Sequence, residues 1–139
     1  MSENTISKLE ELKTQTHNLG KAYRELFPKV DPAFVYDLIL RLSETDNNTP
    51  IYTVEVFTKE GTNPEKSKEH ILQTTGSVPA IFDNGTHYVS TQRITLEMLK
   101  KLNDIDYVLE VMGDYTGGAS SIGPRHEPGE WKRIRDKSQ

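Results

Sequence analysis

In the stretch VPAIFDNGTHYV, residues 78–89, a carboxylate (Asp83), an imidazole (His87) and a phenol (Tyr88) fall close together. Such a set can do acid–base chemistry: the imidazole takes up and returns a proton near neutral pH, the carboxylate orients it, and the phenol donates to developing negative charge. Elsewhere the reactive groups are scattered. His17 and His70 lack a second histidine or carboxylate at HxxxH or HExxH spacing, and His126-Glu127 is an adjacent pair in a proline- and glycine-containing segment. No GxSxG, phosphate-binding glycine loop or GxGxxG occurs, and without cysteine the chain has no thiolate chemistry, disulfide or cysteine-ligated metal. No catalytic residue, cofactor or metal ligand is assigned. The one enzymatic arrangement left open pairs His87 with Asp114 or Tyr115 at a sheet edge.

A second kind of chemistry lies near the C-terminus. The chain has 139 residues and a formal net charge of -4, which suits one modest domain with no general attraction for phosphate. Yet residues 131–137, WKRIRDK, are basic and include the single tryptophan. Trp131, Lys132, Arg133 and Arg135 are therefore candidates for binding an acidic partner or a nucleic acid, within a tail at 119–139 that otherwise reads as flexible. The N-terminal MSENTISKLEELK has early acidic residues and no continuous apolar stretch. Neither a signal peptide nor a membrane span is expected, and the location expected is cytoplasmic.

The elements that must position these groups follow from periodicity and punctuation. Ile6, Leu9, Leu12, Leu19, Tyr23 and Leu26 keep a helical period up to Phe27-Pro28, and Asp31-Pro32 starts a second helix with Phe34, Val35, Leu38, Ile39 and Leu42 on its apolar side. Residues 1–43 thus read as an αα-hairpin, followed by the polar linker SETDNNTP. From residue 51 the order is strand, helix, strand, strand, helix, strand. Thr62 or Asn63 caps the first of these helices, Asn84-Gly85 forms a type I′ turn, and Thr95 caps the second helix. The final strand alternates through Tyr107, Leu109 and Val111, with GDYTGG as the turn after it. The expected fold is α+β: a ferredoxin-like split βαβ core at 51–118 with a four-stranded antiparallel sheet and two helices on one face.

Alternation then sorts side chains. Phe82 opposes His87 and Ile81 opposes Tyr88 across the turn, so His87 packs inward, hydrogen-bonded, with Phe82 and Val89, beneath the helices with Tyr52, Val54 and Val56. Ile81 and Tyr88 turn outward to join Thr53, Glu55, Phe57, Val108, Glu110 and Met112. That second face is too apolar to be simply solvated, so Phe57, Ile81, Tyr88 and Met112 are candidate binding residues. Either the N-terminal hairpin or a second copy of the chain would cover it.

Three resemblances bear on this plan. A split βαβ sheet bearing Phe57 and Tyr88 resembles RNA-recognition modules, which implies base stacking, but the Lys/Arg-Gly-aromatic signature is absent and Glu55 and Glu110 stand where phosphates would approach. The pieces VEVFTKEGTNPEKSKEHIL, SVPAIFDNGTHYV and TLEMLKKL look like parts of a thioredoxin-type domain with Thr62-Asn63-Pro64-Glu65 in place of the redox CxxC, a sequence incapable of thiol chemistry. The plan also resembles amino-acid-binding ACT-type regulatory domains, which implies a ligand near Glu60–Asn63. The function expected is a small interaction or ligand-sensing module, not an enzyme, acting through the apolar sheet face and self-associating, with a protein partner. The alternative is a nucleic-acid or ribosome-associated factor using the basic tail.

Overall fold

The computed structural model describes residues 1–44 and 49–116; Trp131, Lys132, Arg133 and Arg135 lie outside them. Four helices and four strands form among the described residues: α1 (Glu3–Leu26), α2 (Pro32–Glu44), β1 (Ile51–Thr58), α3 (Pro64–Thr75), β2 (Ala80–Phe82), β3 (His87–Arg93), α4 (Leu96–Asn103) and β4 (Val108–Tyr115). The protein is α+β, with one antiparallel sheet in the order β2-β3-β1-β4.

Local chemistry sets the ends of the helices. The Ser2 hydroxyl accepts from the Thr5 amide at 3.1 Å and opens α1. Asn63, not Thr62, caps α3 by accepting from the Glu65 amide at 3.0 Å, and Pro64 occupies the first helical position, where its missing N–H costs nothing. Thr95 caps α4 through the Met98 amide at 3.2 Å.

The core lies between the sheet and three of the helices. Phe34, Val35 and Leu38 of α2, Ile71 of α3, and Leu99 and Leu102 of α4 pack with Tyr52, Val54, Val56, Tyr88, Val108 and Val111. α2 approaches closely because residue 113 is glycine: a Cβ there would meet Phe34 Cε2 at 2.5 Å. The Phe34 ring also lies 5.0 Å from that of Tyr52. At the end of this layer the Tyr52 hydroxyl donates to Asp37 Oδ2 at 2.5 Å, and the Arg41 guanidinium sits 3.4 Å over the Tyr115 ring. Burial first, and then the hydrogen bond to Asp37, push the Tyr52 phenol well above its ordinary value. The link between α1 and α2 is tied to the sheet edge: the Asp31 amide donates to Val111 O at 2.9 Å and the Val111 amide donates to Lys29 O at 2.8 Å, making a parallel bridge between Val30 and Val111.

Several expectations need correction. The N-terminal helices do not cover the second sheet face, because α2 joins α3 and α4 on the first. The hairpin loop contains the expected turn at Asn84-Gly85, with Thr86 N donating to Asp83 O at 3.3 Å, but a second turn overlaps it one residue earlier, where Gly85 N donates to Phe82 O at 3.1 Å; Asp83 (φ +53°), Asn84 (+57°) and Gly85 (+85°) are all left-handed. Asp and Asn tolerate this region because their short polar side chains bond locally. The last strand continues through Gly113-Asp114-Tyr115 instead of turning, and it is irregular: Thr58 pairs with Val108 but Phe57 with Glu110, so Leu109 is the extra residue of a bulge.

Candidate functional site

The pairing of β1 with β3 decides which groups share the second face. Phe57 pairs with His87, Glu55 with Val89 and Thr53 with Thr91, while Phe57 pairs with Glu110, Glu55 with Met112 and Thr53 with Asp114 on the other side. Directly paired residues point to the same side. This face therefore carries Glu55 at its middle, between Val89 and Met112, with His87, Phe57 and Glu110 in the row at one end and Thr91, Thr53 and Asp114 in the row at the other.

The expected assignment of the hairpin is thus inverted. Its internal register holds, with Ile81 opposite Tyr88 and Phe82 opposite His87, but Tyr88 pairs with Val56 and lies in the helix-side core, 1% exposed. Two features fit Tyr88 to that side: the ring fills the core layer, and its hydroxyl donates to Gly85 O at 2.7 Å. Ile81 shares its side at the rim of the edge strand, where it is exposed. Of the four sheet residues singled out as a binding surface, Phe57 and Met112 come together on the second face, and Tyr88 and Ile81 do not join them.

His87 takes the place on the second face that Tyr88 vacates. Its Nε2 lies 3.0 Å from Glu55 Oε1 and its Nδ1 lies 3.3 Å from Asp83 Oδ2. The ring stacks on Phe57 with centroids 4.2 Å apart at 21°. His87 and Glu55 are 3% and 1% exposed. A ring protonated on both nitrogens donates to both carboxylates, and a neutral ring donates to one of them. Either way both nitrogens already face protein side chains, so the trio resembles an orienting pair without a nucleophile to serve. Asp114 lies four residues along and two strands across from His87, roughly 16 Å away by sheet spacings. Tyr115 pairs with Tyr52 on the opposite side. The His87–Asp114/Tyr115 arrangement is not assembled.

The loop at Glu60–Asn63 spends its polar groups internally, the Thr62 hydroxyl on Lys59 O at 2.8 Å and Asn63 on its capping bonds. Two open depressions of about 360 and 310 Å³ meet at His70, whose Nδ1 lies 3.0 Å from the Tyr107 hydroxyl. Burial raises the Tyr107 phenol. Beside it, the hydrogen bond from Lys100, followed by that from Asn103, holds the Asp104 carboxyl below its ordinary range. Among the described residues no group of three His, Asp or Glu is arranged to hold a metal ion, and no helix is long and apolar enough to cross a membrane.

No protein-family model, curated protein or solved structure matches this chain. The geometry alone therefore carries the functional argument. Sequence reasoning missed one surface. Among the described residues the stripe on α1 finds no packing partner over most of its length: Leu9, Leu12, Leu19 and Leu26 are 44 to 58% exposed, and Tyr23 is the one buried residue of the helix. The signal was present in the spacing, since Leu12, Leu19 and Leu26 stand seven apart, interleaved with Leu9, Thr16 and Tyr23.

Proposed function

We propose that the protein is a small interaction or regulatory module that self-associates and works through surfaces, without a catalytic centre. The carrying observation is the α1 stripe. Positions 9, 12, 16, 19, 23 and 26 follow the alternating three- and four-residue steps of a coiled-coil seam. The helix has 24 residues, about 36 Å of rise, enough to give such a seam more than two heptads. Leucine side chains at this spacing and exposure mark a surface suited to a second copy of the same helix. A flush contact between two second sheet faces is less suited, because Glu55, Glu110 and Asp114 would be brought against their own copies.

We read the core as a ferredoxin-like split βαβ. What supports this is that β1-α3-β2 and β3-α4-β4 each cross over one intervening strand in the order β2-β3-β1-β4. The self-association reading is tested by sedimentation of the full chain over a range of concentrations. The wild type is expected to sediment as a dimer and the Leu12→Glu/Leu19→Glu variant as a monomer with its unfolding midpoint nearly unchanged. A wild type that stays monomeric at tens of micromolar sinks the reading. A second reading, nucleic-acid binding, rests on the basic run at 131–137; it predicts RNA affinity that falls steeply with salt and vanishes in a Lys132→Glu/Arg133→Glu/Arg135→Glu variant.

A further inference from the structure

The second sheet face has the burial of a core, and none of the described helices accounts for it. Phe57, Val89 and Met112 are 3, 3 and 1% exposed, yet none of them belongs to the cluster that the helices form with the first face. Glu55 lies between Val89 and Met112 and faces His87, while Glu110 and Asp114 stand along the β4 edge of the face and make that edge acidic. A partner fitted to this surface carries an apolar, preferably aromatic, anchor flanked by cations.

We infer that this partner is the chain's own segment after Thr116, lying across the second face with Trp131 against Phe57 and Met112 and its flanking Lys132, Arg133 and Arg135 toward Glu110 and Asp114. The two charge patterns are complementary. Residues 117–139 carry five Lys or Arg against three Asp or Glu, so the net negative charge of the chain resides in residues 1–116. The starting point is also right. The Thr116 amide donates to Ile51 O at 3.0 Å and its hydroxyl donates to the same oxygen at 3.2 Å, which holds the exit of β4 beside the first residue of β1. From there the face runs about 13 Å from Asp114 to Glu110, whereas the fifteen residues from Thr116 to Trp131 span up to about 50 Å when extended. The tether reaches every part of the face with slack for a reversal.

The single tryptophan of the full chain is its own probe. At a concentration where the chain is monomeric, with Leu12→Glu/Leu19→Glu as the background if the wild type dimerises, Trp131 emission is expected to be blue-shifted, with acrylamide quenching several-fold weaker than in the denatured chain. Arg133→Glu/Arg135→Glu is expected to release Trp131. Glu110→Lys/Asp114→Lys is expected to do the same from the other side, with circular dichroism to establish that the sheet is retained. Combining the two pairs swaps the charges and is expected to restore protection. Quenching in the wild type as free as in the denatured chain overturns the inference, as does a charge swap that fails to restore protection. Protection that fades on dilution in step with dissociation overturns it in favour of the segment of a second copy. A monomeric wild type with a protected Trp131 upholds it while removing the self-association reading, so the two proposals fail separately.

Discussion

The two faces of one sheet are buried to similar degrees by different means. The first is a layered hydrocarbon core in which Phe34 sits directly on Gly113 and the large side chains interdigitate. The second mixes apolar side chains with a His87–Glu55 pair that is as buried as Phe57 and Val89 beside it. A face of the first kind specifies its cover by shape, and many apolar sequences of the right volume satisfy it. A face of the second kind specifies its cover by charge as well, because each buried ionised or polar group needs a defined partner.

That contrast can be broken by substitution. Phe34→Ala should cost the most, about 4 kcal/mol in denaturant unfolding, since it empties the space between α2 and the sheet. His87→Ala tests whether the second face is equally integral. Taking one partner from a carboxylate that is 1% exposed should cost about 3 kcal/mol, and a loss below about 0.5 kcal/mol would make that face a surface in energetic terms. Gly113→Ala should cost about 2 kcal/mol by forcing the Phe34 ring off its seat, and Phe34→Leu in the same chain should recover part of that loss.

Tyr52→Phe should cost about 1 kcal/mol, its hydroxyl bond reaching a half-exposed carboxylate. It carries a pH signature. The folded phenol holds its proton more tightly than the unfolded one, so this contribution is complete below about pH 10, the ordinary tyrosine value, and is lost as pH rises toward the folded value. Wild-type stability should fall in that alkaline window more steeply than that of the Tyr52→Phe protein. The smallest effect has the opposite sign. Gln92 is buried on the first face and neither polar atom of its amide finds a hydrogen-bond partner among the described residues, so Gln92→Met should stabilise by about 1 kcal/mol.

Much of the element order was legible because it rests on residues with local jobs: Asn63-Pro64, Thr95, Asp31-Pro32 and the Asp83–Gly85 turn each fix the backbone within a few positions. The hairpin register was legible for the same reason. What was hidden is the sign of each face. Period-two alternation separates His87 from Tyr88 but does not say which one meets Val56, a choice made by pairing with a strand thirty residues away. The bulge at Leu109 was hidden too, since one extra residue reverses the alternation that put Leu109 inward. On α1 the stripe was visible, but a stripe announces only that something packs there, and here that something is not the rest of the described chain.

The bridge between Val30 and Val111 has a consequence for the order of assembly. The helical hairpin is synthesised before the sheet, and its two helices can coil locally as soon as they emerge. Its anchor, however, is the last of the described strands, some eighty residues later, so α2 cannot lock onto the sheet until β4 has been synthesised and paired with β1. A part of the chain made before the sheet is thus among the last to become native, and the amide of Asp31, in the link between α1 and α2, should gain hydrogen-exchange protection during refolding together with that of Val111 and not with the amides of α1.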